Sequence, residues 1–201
     1  MQYFSTLPKI IYNNPITGNP IILTDLLARS SVVSSVLNNP LIYYKYDIQE
    51  GDTPDIVAYK YYGDAYRYWI VLFGNQFLDP QWNWPLDYAE FVAYINDKYQ
   101  DFNPHTAIYE YQQIITQYDQ STFTTSVEIL VITQSTYNSL PESSTSSYSF
   151  PDGQVSITTT KRALNYYDWE DEQNEAKRNI SLINVNYVDE FERQFKKLMA
   201  Q

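Results

Sequence analysis

The alternation of hydrophobic and polar positions changes three times along the chain, which predicts four segments. Residues 1–42 are broken repeatedly by proline and predict an extended arm, with one short helical or strand segment around residues 24–36. Residues 43–104 carry apolar residues at helical spacing and predict a small, mostly helical unit. Residues 105–183 are rich in Thr, Ser, Val and Ile and predict antiparallel strands, whereas residues 184–201 predict an amphipathic helix. Together these patterns predict an α+β protein.

The second segment has the most specific local pattern. Its aromatic run over residues 43–48 predicts a strand, and Gly51 allows a tight turn after it. Asp52 or Thr53 can then cap a helix that ends at Gly63. Further along, the sequence predicts a second helix from residue 64, an irregular aromatic loop over residues 79–85 and a third helix over residues 87–99.

The third segment contains three predicted strands, over residues 107–116, 126–134 and 154–167. Residues 138–153 include a run of Ser and Thr, so they are expected to form a mobile loop. Two interpretations stay open for residues 166–178, where acidic residues precede basic ones. They predict either a solvated helix or a loop between strands, with residues 179–183 as the second strand.

The composition excludes several kinds of chemistry. The chain has 201 residues and a formal net charge of −11, which disfavours binding to nucleic acids and to anionic membranes. It has no cysteine, one histidine and five glycines, so it lacks thiolate metal sites, histidine clusters and glycine-rich phosphate loops. The single histidine, His105, is interpreted as structural. No signal peptide or membrane-spanning run is visible, and we expect no catalytic residue, metal or cofactor.

Tyrosine is abundant, with 21 residues. Its ring suits both an aromatic core and a surface that binds protein partners, and composition does not choose between these uses. Trp82 and Trp84 are candidate partner-interface residues, with burial in the core as the alternative, whereas the core is favoured for Trp69. Arg29 and Arg67 are isolated among apolar or aromatic neighbours, and they either bridge to acidic groups of a partner or are solvated.

Residues 46–64 resemble the first half of a LysM domain. They contain a strand, a Gly-Asp-Thr turn at residues 51–53 and a helix with the sequence Ile-Val-Ala-Tyr-Lys-Tyr-Tyr-Gly, and Asn75 stands where LysM domains often have an asparagine. The resemblance implies a groove beside this turn that binds N-acetylglucosamine chains. The second strand of the domain and its approach are missing after the helices, where residues 79–86 stand instead. This departure argues against glycan binding.

A wider resemblance covers residues 3–100 and 160–200. Its elements, in chain order, are Pro8-Lys9-Ile10-Ile11-Tyr12, Thr24 to Arg29, the LysM-like stretch, Tyr68-Trp69-Ile70-Val71-Leu72, Asp79-Pro80, Trp84-Pro85-Leu86 and Asn174 to Ile180. The ordered series is similar to the LysM-bearing baseplate wedge proteins of T-even-type contractile-tailed phages. That resemblance implies a structural virion subunit without catalysis, assembled in the host cytoplasm. It implies that the subunit occurs in six wedges around the tail hub and clamps neighbouring wedge and tail subunits together.

Two other functions are compatible with parts of the sequence. A peptidoglycan-binding LysM module that positions a lytic enzyme would also use the turn at residues 51–53. A glycoside hydrolase with two catalytic carboxylates needs neither His nor Cys. Acidic residues are common in this chain, but nothing in the sequence pairs any two of them. The baseplate subunit is therefore the preferred hypothesis, and the LysM glycan-binding module is the alternative.

Overall fold

The computed structural model describes residues 3–16, 18–28 and 41–200. Within these residues the protein is α+β, and every pair of neighbouring strands is antiparallel. The segment predicted around residues 24–36 lies outside the described residues from position 29 onward, and Arg29 lies there too.

The described strands and helices are as follows, in chain order. The strands are β1 (Lys9–Asn13), β2 (Pro20–Thr24), β3 (Tyr43–Asp47), β4 (Ile108–Asp119), β5 (Thr124–Ile132), β6 (Ser143–Phe150), β7 (Gly153–Asn165) and β8 (Asn179–Ile183). The helices are α1 (Pro54–Tyr62), α2 (Tyr68–Gly74), α3 (Pro80–Asn83), α4 (Tyr88–Lys98), α5 (Gln134–Ser139), α6 (Tyr166–Ala176) and α7 (Val185–Met199).

The chain folds into two compact units that divide it differently from the four predicted segments. Residues 1–88 and 175–201 form the first unit, and residues 89–174 form the second. The first unit is discontinuous because β8 pairs with β3 along its whole length, from Tyr43 opposite Ile183 to Asp47 opposite Asn179. The final strand and helix therefore belong with the LysM-like segment.

The core of the first unit is built from β3, β8, α1, α2 and α7. Its largest fully buried side chains are Val57, Ile70, Val71, Leu182, Ile183 and Val188. Local sequence explains why α1 forms where it does: Thr53 occupies the N-cap position, Pro54 follows it, and Gly63 ends the helix with a φ of 71°. The predicted strand, first helix and C-terminal helix are confirmed.

Residues 9–24 of the predicted extended arm form a β-hairpin. β1 and β2 form a two-stranded sheet with five register pairs, in which Ile11 faces Ile22. The base of the hairpin is closed by the Asp25 amide, which donates to the Pro8 carbonyl at 2.8 Å. All its strand residues are exposed except Thr24, which is half-buried, so the hairpin has no hydrophobic core of its own.

The second unit contains a four-stranded sheet in the order β5-β4-β7-β6. The predicted strands of this region are confirmed with shifted ends, and residues 166–176 adopt the helical alternative as α6. The expected mobile loop over residues 138–153 is wrong, because β6 pairs with β7 along eight register positions. All eight residues of β6 are exposed, so no apolar alternation marks it as a strand. The loop expected over residues 79–85 also contains a helical turn, α3.

Candidate interaction surfaces

The turn before α1 is held by a buried carboxylate rather than by a helix cap. Gly51 adopts a φ of 77°, and the Asp52 carboxylate accepts hydrogen bonds from Tyr46 Oη at 2.7 Å and from the Gln49 amide at 3.1 Å. Lys60 Nζ lies 2.5 Å from the other Asp52 oxygen. The predicted capping role of Asp52 is therefore wrong, because its side chain points to β3 and Lys60. Thr53 does occupy the cap position, but its side chain makes no capping hydrogen bond.

The charge state of Asp52 follows from these contacts. Burial opposes ionisation, but the hydrogen bonds from Lys60, Tyr46 and Gln49 outweigh it and hold the pKa of Asp52 below its ordinary value of 3.8. Burial and the neighbouring Asp52 carboxylate raise the pKa of Tyr46 to about 12. The cluster therefore contains an ionised carboxylate and a protonated phenol at neutral pH. This arrangement stabilises the turn.

The two candidate interface tryptophans have different environments. Trp84 is 9% exposed, belongs to the hydrophobic core and donates from its indole Nε1 to the Asp52 carbonyl at 2.8 Å. Of the two roles predicted for Trp84, burial in the core is confirmed and a place at a partner interface is wrong, because the side chain is buried within its own chain. Trp82, two residues earlier, is 60% exposed and remains a candidate for a partner contact. Trp69 is buried beside Phe195, as the core interpretation expects.

Asn75 has a structural role at the edge of the β3–β8 ladder. Its side-chain oxygen accepts from the Ser181 amide at 2.8 Å, and its nitrogen donates to the carbonyls of Ser181 and Val71 at 2.9 and 2.8 Å. One side chain thus satisfies both backbone groups of a β8 residue, as a neighbouring strand would do.

Arg67 is partly buried and contacts two carboxylates of its own chain. Its Nε lies 3.1 Å from Glu192 Oε1 and its Nη2 lies 2.6 Å from Asp189 Oδ1, both on α7. The side chain is 19% exposed. Arg67 therefore tethers the turn before α2 to the C-terminal helix, whereas a role in binding a partner stays a prediction.

The titratable groups of the second unit also form structural contacts. Glu170 is buried and contacts Lys98 Nζ and Tyr99 Oη, each at 2.5 Å, so it ties α6 to α4. Burial disfavours the charged amine, but the hydrogen bonds to Glu170 and Tyr94 outweigh it and raise the pKa of Lys98. His105 stacks on the ring of Tyr167 with centroids 4.2 Å apart, in agreement with its structural interpretation.

The largest feature that the sequence did not reveal is the apolar surface of the hairpin. Ile11 and Ile22 are 75% and 74% exposed on one face, and the opposite face presents Ile10, Tyr12, Ile21 and Leu23. Lys9 is the only charged residue within the two strands. The continuous apolar runs at positions 10–12 and 21–23 are the sequence signal for these strands, although the prolines around them favour the interpretation as an extended arm.

Within residues 3–16, 18–28 and 41–200, no group of three or more His, Asp or Glu residues is arranged to hold a metal ion. A cavity of about 230 Å³ on the β-sheet of the second unit is lined by Gln113, Leu140, Pro141, Ser144, Thr159, Thr160 and Lys161. Among the described helices, none is long and apolar enough to cross a membrane.

Comparison with known proteins finds no protein-family model and no curated protein that matches the chain.

Proposed function

We propose that the chain is a structural subunit of a phage tail baseplate wedge, without catalysis, that clamps neighbouring wedge proteins together. The observation that carries the proposal is the β1–β2 hairpin, whose aliphatic side chains are exposed on both faces. A two-stranded hairpin is only marginally stable by itself in water. A partner that encloses a side chain such as Ile11 would contribute about 1.5–3 kcal/mol relative to leaving it exposed. The hairpin is therefore suited to insertion between other subunits.

The residues just before the hairpin pack into the core of the first unit. Leu7 is buried in the core, and the ring of Tyr3 lies 5.6 Å from that of Trp69 and 5.9 Å from that of Phe195. The hairpin begins two residues after Leu7. A subunit held by the hairpin would thus be held through its core, as a clamp requires.

The arrangement of the first unit supports the resemblance on which the assembly class rests. The strand that seemed missing from the LysM-like segment has a counterpart in β8, which comes after the second unit and pairs antiparallel with β3. In the proposed function the chain is a subunit of the tail baseplate, which assembles in the host cytoplasm with six wedges around the hub.

The alternative, a peptidoglycan-binding module, is favoured by the same LysM-like arrangement. The resemblance puts the glycan groove beside residues 51–53. At this turn the Trp84 indole nitrogen donates a hydrogen bond to the Asp52 carbonyl. A sugar in that groove would have to displace the indole ring. We therefore expect no saturable heat when chitin oligomers are titrated into the protein by calorimetry. Binding at micromolar concentration would favour the module instead.

The clamp is tested by replacing Ile11 and Ile22 with serine and purifying tails from cells infected with the source phage. Both side chains are exposed, so the double variant keeps its fold, as circular dichroism would verify. We expect it to be missing from baseplates in mass spectra of purified tails. The matched control is Leu78→Ser, which removes an aliphatic side chain that is 96% exposed but lies outside the hairpin. Normal incorporation of the double variant would contradict the clamp.

A further inference from the structure

β5 is an edge strand that lacks the usual protection against pairing. It lies at one end of the sheet order, so its outer backbone groups have no strand beside them in the described structure. Eight of its nine residues are exposed, including Val127, Ile129 and Val131 on one face. Natural edge strands are commonly blocked by lysine, proline or a bulge. β5 has no lysine or proline, and its only charged residue is Glu128.

β1 offers a matching edge in the first unit. It pairs with β2 on one side only, and its exposed residues include Ile10, Ile11 and Tyr12. Its single charge is that of Lys9, whose Nζ donates to the hydroxyl of Thr24 at 2.6 Å. Because that partner is neutral, the lysine charge is uncompensated among the described residues.

We propose that β1 of one copy of the chain adds to the outer edge of β5 of a second copy. With the strands parallel and Lys9 beside Glu128, the following three pairs are Ile10 with Ile129, Ile11 with Leu130 and Tyr12 with Val131. Each pair lies on one face of the extended sheet, because side chains alternate with period two in both strands. Neighbouring opposite charges and β-branched or aromatic neighbours stabilise strand pairs.

The charges favour β5 over the other described strand edges as the place where β1 adds. β6, at the opposite end of the same sheet, has no charged residue to compensate Lys9. Two copies of β5 paired antiparallel about their central residue would bring Glu128 opposite itself, and like charges directly opposite are destabilising. Among the strands of the described residues, only β5 combines an aliphatic edge with a carboxylate.

The contact joins different surfaces of the two copies, so it is head-to-tail. Repetition of such a contact closes a ring if the rotation allows it, and otherwise gives an open chain. The inference goes beyond the proposed function, since it concerns copies of this chain alone. The contact between β1 and β5 can be wrong while the baseplate proposal is right, and the baseplate proposal can be wrong while this contact is right.

The absence of cysteine from the chain allows a direct test. One preparation carries Ile10→Cys and the other carries Ile129→Cys, and the two full-length proteins are mixed and oxidised. We expect a higher yield of disulfide-linked dimer on a non-reducing gel from the mixture than from either protein oxidised alone. The control mixes Ile10→Cys with Tyr148→Cys, which places an exposed thiol on β6, and should give at most background cross-linking. Equal cross-linking in both mixtures would overturn the proposal, and so would a dimer yield from Ile129→Cys oxidised alone that equals or exceeds the yield from the mixture.

The charge pair is tested by reversal in the same assay. Lys9→Glu or Glu128→Lys, each added to the matching cysteine variant, should lower the initial cross-linking rate about tenfold, because each puts like charges side by side. Combining the two reversals should restore the rate. The control is Asp152→Lys, which reverses a charge at an exposed position in the turn between β6 and β7. It should change the initial cross-linking rate by less than about twofold. Failure of the combined reversal to restore cross-linking would exclude the proposed register.

Discussion

Two ladders in the first unit have nearly the same local architecture and opposite environments. β1–β2 and β3–β8 are both antiparallel, and both have two strands of five residues in five register pairs. In β8, Ile180, Leu182 and Ile183 are at most 2% exposed. In the β1–β2 ladder, by contrast, Ile11 and Ile22 each have about three-quarters of their surface exposed.

The difference comes from what covers each ladder, since both contain aliphatic side chains. α2 packs on β8, since a Cβ on Gly74 would be in ordinary van der Waals contact with the Ile183 side chain at 3.6 Å. Nothing described in the first unit covers either face of the hairpin. The covered ladder therefore stabilises the fold, whereas the uncovered one is available to a partner.

The largest expected effect comes from removing a covered side chain. Leu182→Ala leaves a cavity in a fully buried site, so we expect the free energy of unfolding to fall by about 2–5 kcal/mol. The matched change on the uncovered ladder, Ile22→Ala, should lower it by less than about 0.5 kcal/mol. Urea unfolding followed by tryptophan fluorescence measures both. Similar losses would mean that the hairpin is covered within the monomer.

A smaller loss is expected from the side chain that satisfies the edge of the covered ladder. Asn75→Ala leaves the amide and carbonyl of Ser181 without their partner, so unfolding free energy should fall by about 1–3 kcal/mol. Asn13→Ala, at the exposed end of β1, provides the control and should be nearly neutral. If the two variants unfold at the same urea concentration, Asn75 does not secure β8.

The smallest effect, and the one that depends on pH, concerns the turn beside β3. Asp52→Asn keeps the shape of the side chain but loses its charge, so we expect a loss on the order of 1 kcal/mol at neutral pH. Because the folded-state pKa of Asp52 lies below 3.8, its ionised form stabilises the fold above that pH. The contribution is lost as the pH falls through the folded-state pKa, so the difference from wild type should shrink in acid. Urea unfolding at several pH values checks this convergence. The control at neutral pH is exposed Asp47→Asn, which should change the free energy of unfolding by less than about 0.5 kcal/mol.

The elements predicted correctly were those whose evidence lies within a few residues. Gly51 and Gly63 mark the turn before α1 and its end, and the apolar spacing of α7 marks its buried face. β6 escaped prediction because it is an exposed strand of mostly serine, stabilised by backbone pairing with β7. The role of Asp52 was misjudged because a carboxylate before a helix suggests a cap, while its actual partners include Lys60, eight positions away.

By itself, the sequence determined the α+β class, the lack of cysteine thiols and the conformation of segments such as β3, α1 and α7, because these depend on near neighbours and composition. Only the tertiary structure decided that β8 completes the ladder of β3, that Trp84 is internal and that the hairpin is left uncovered. Each of those outcomes requires contacts between residues far apart in the chain, such as Tyr46 with Ile180. Burial is a property of what packs against a residue, and the pattern of one segment does not contain it.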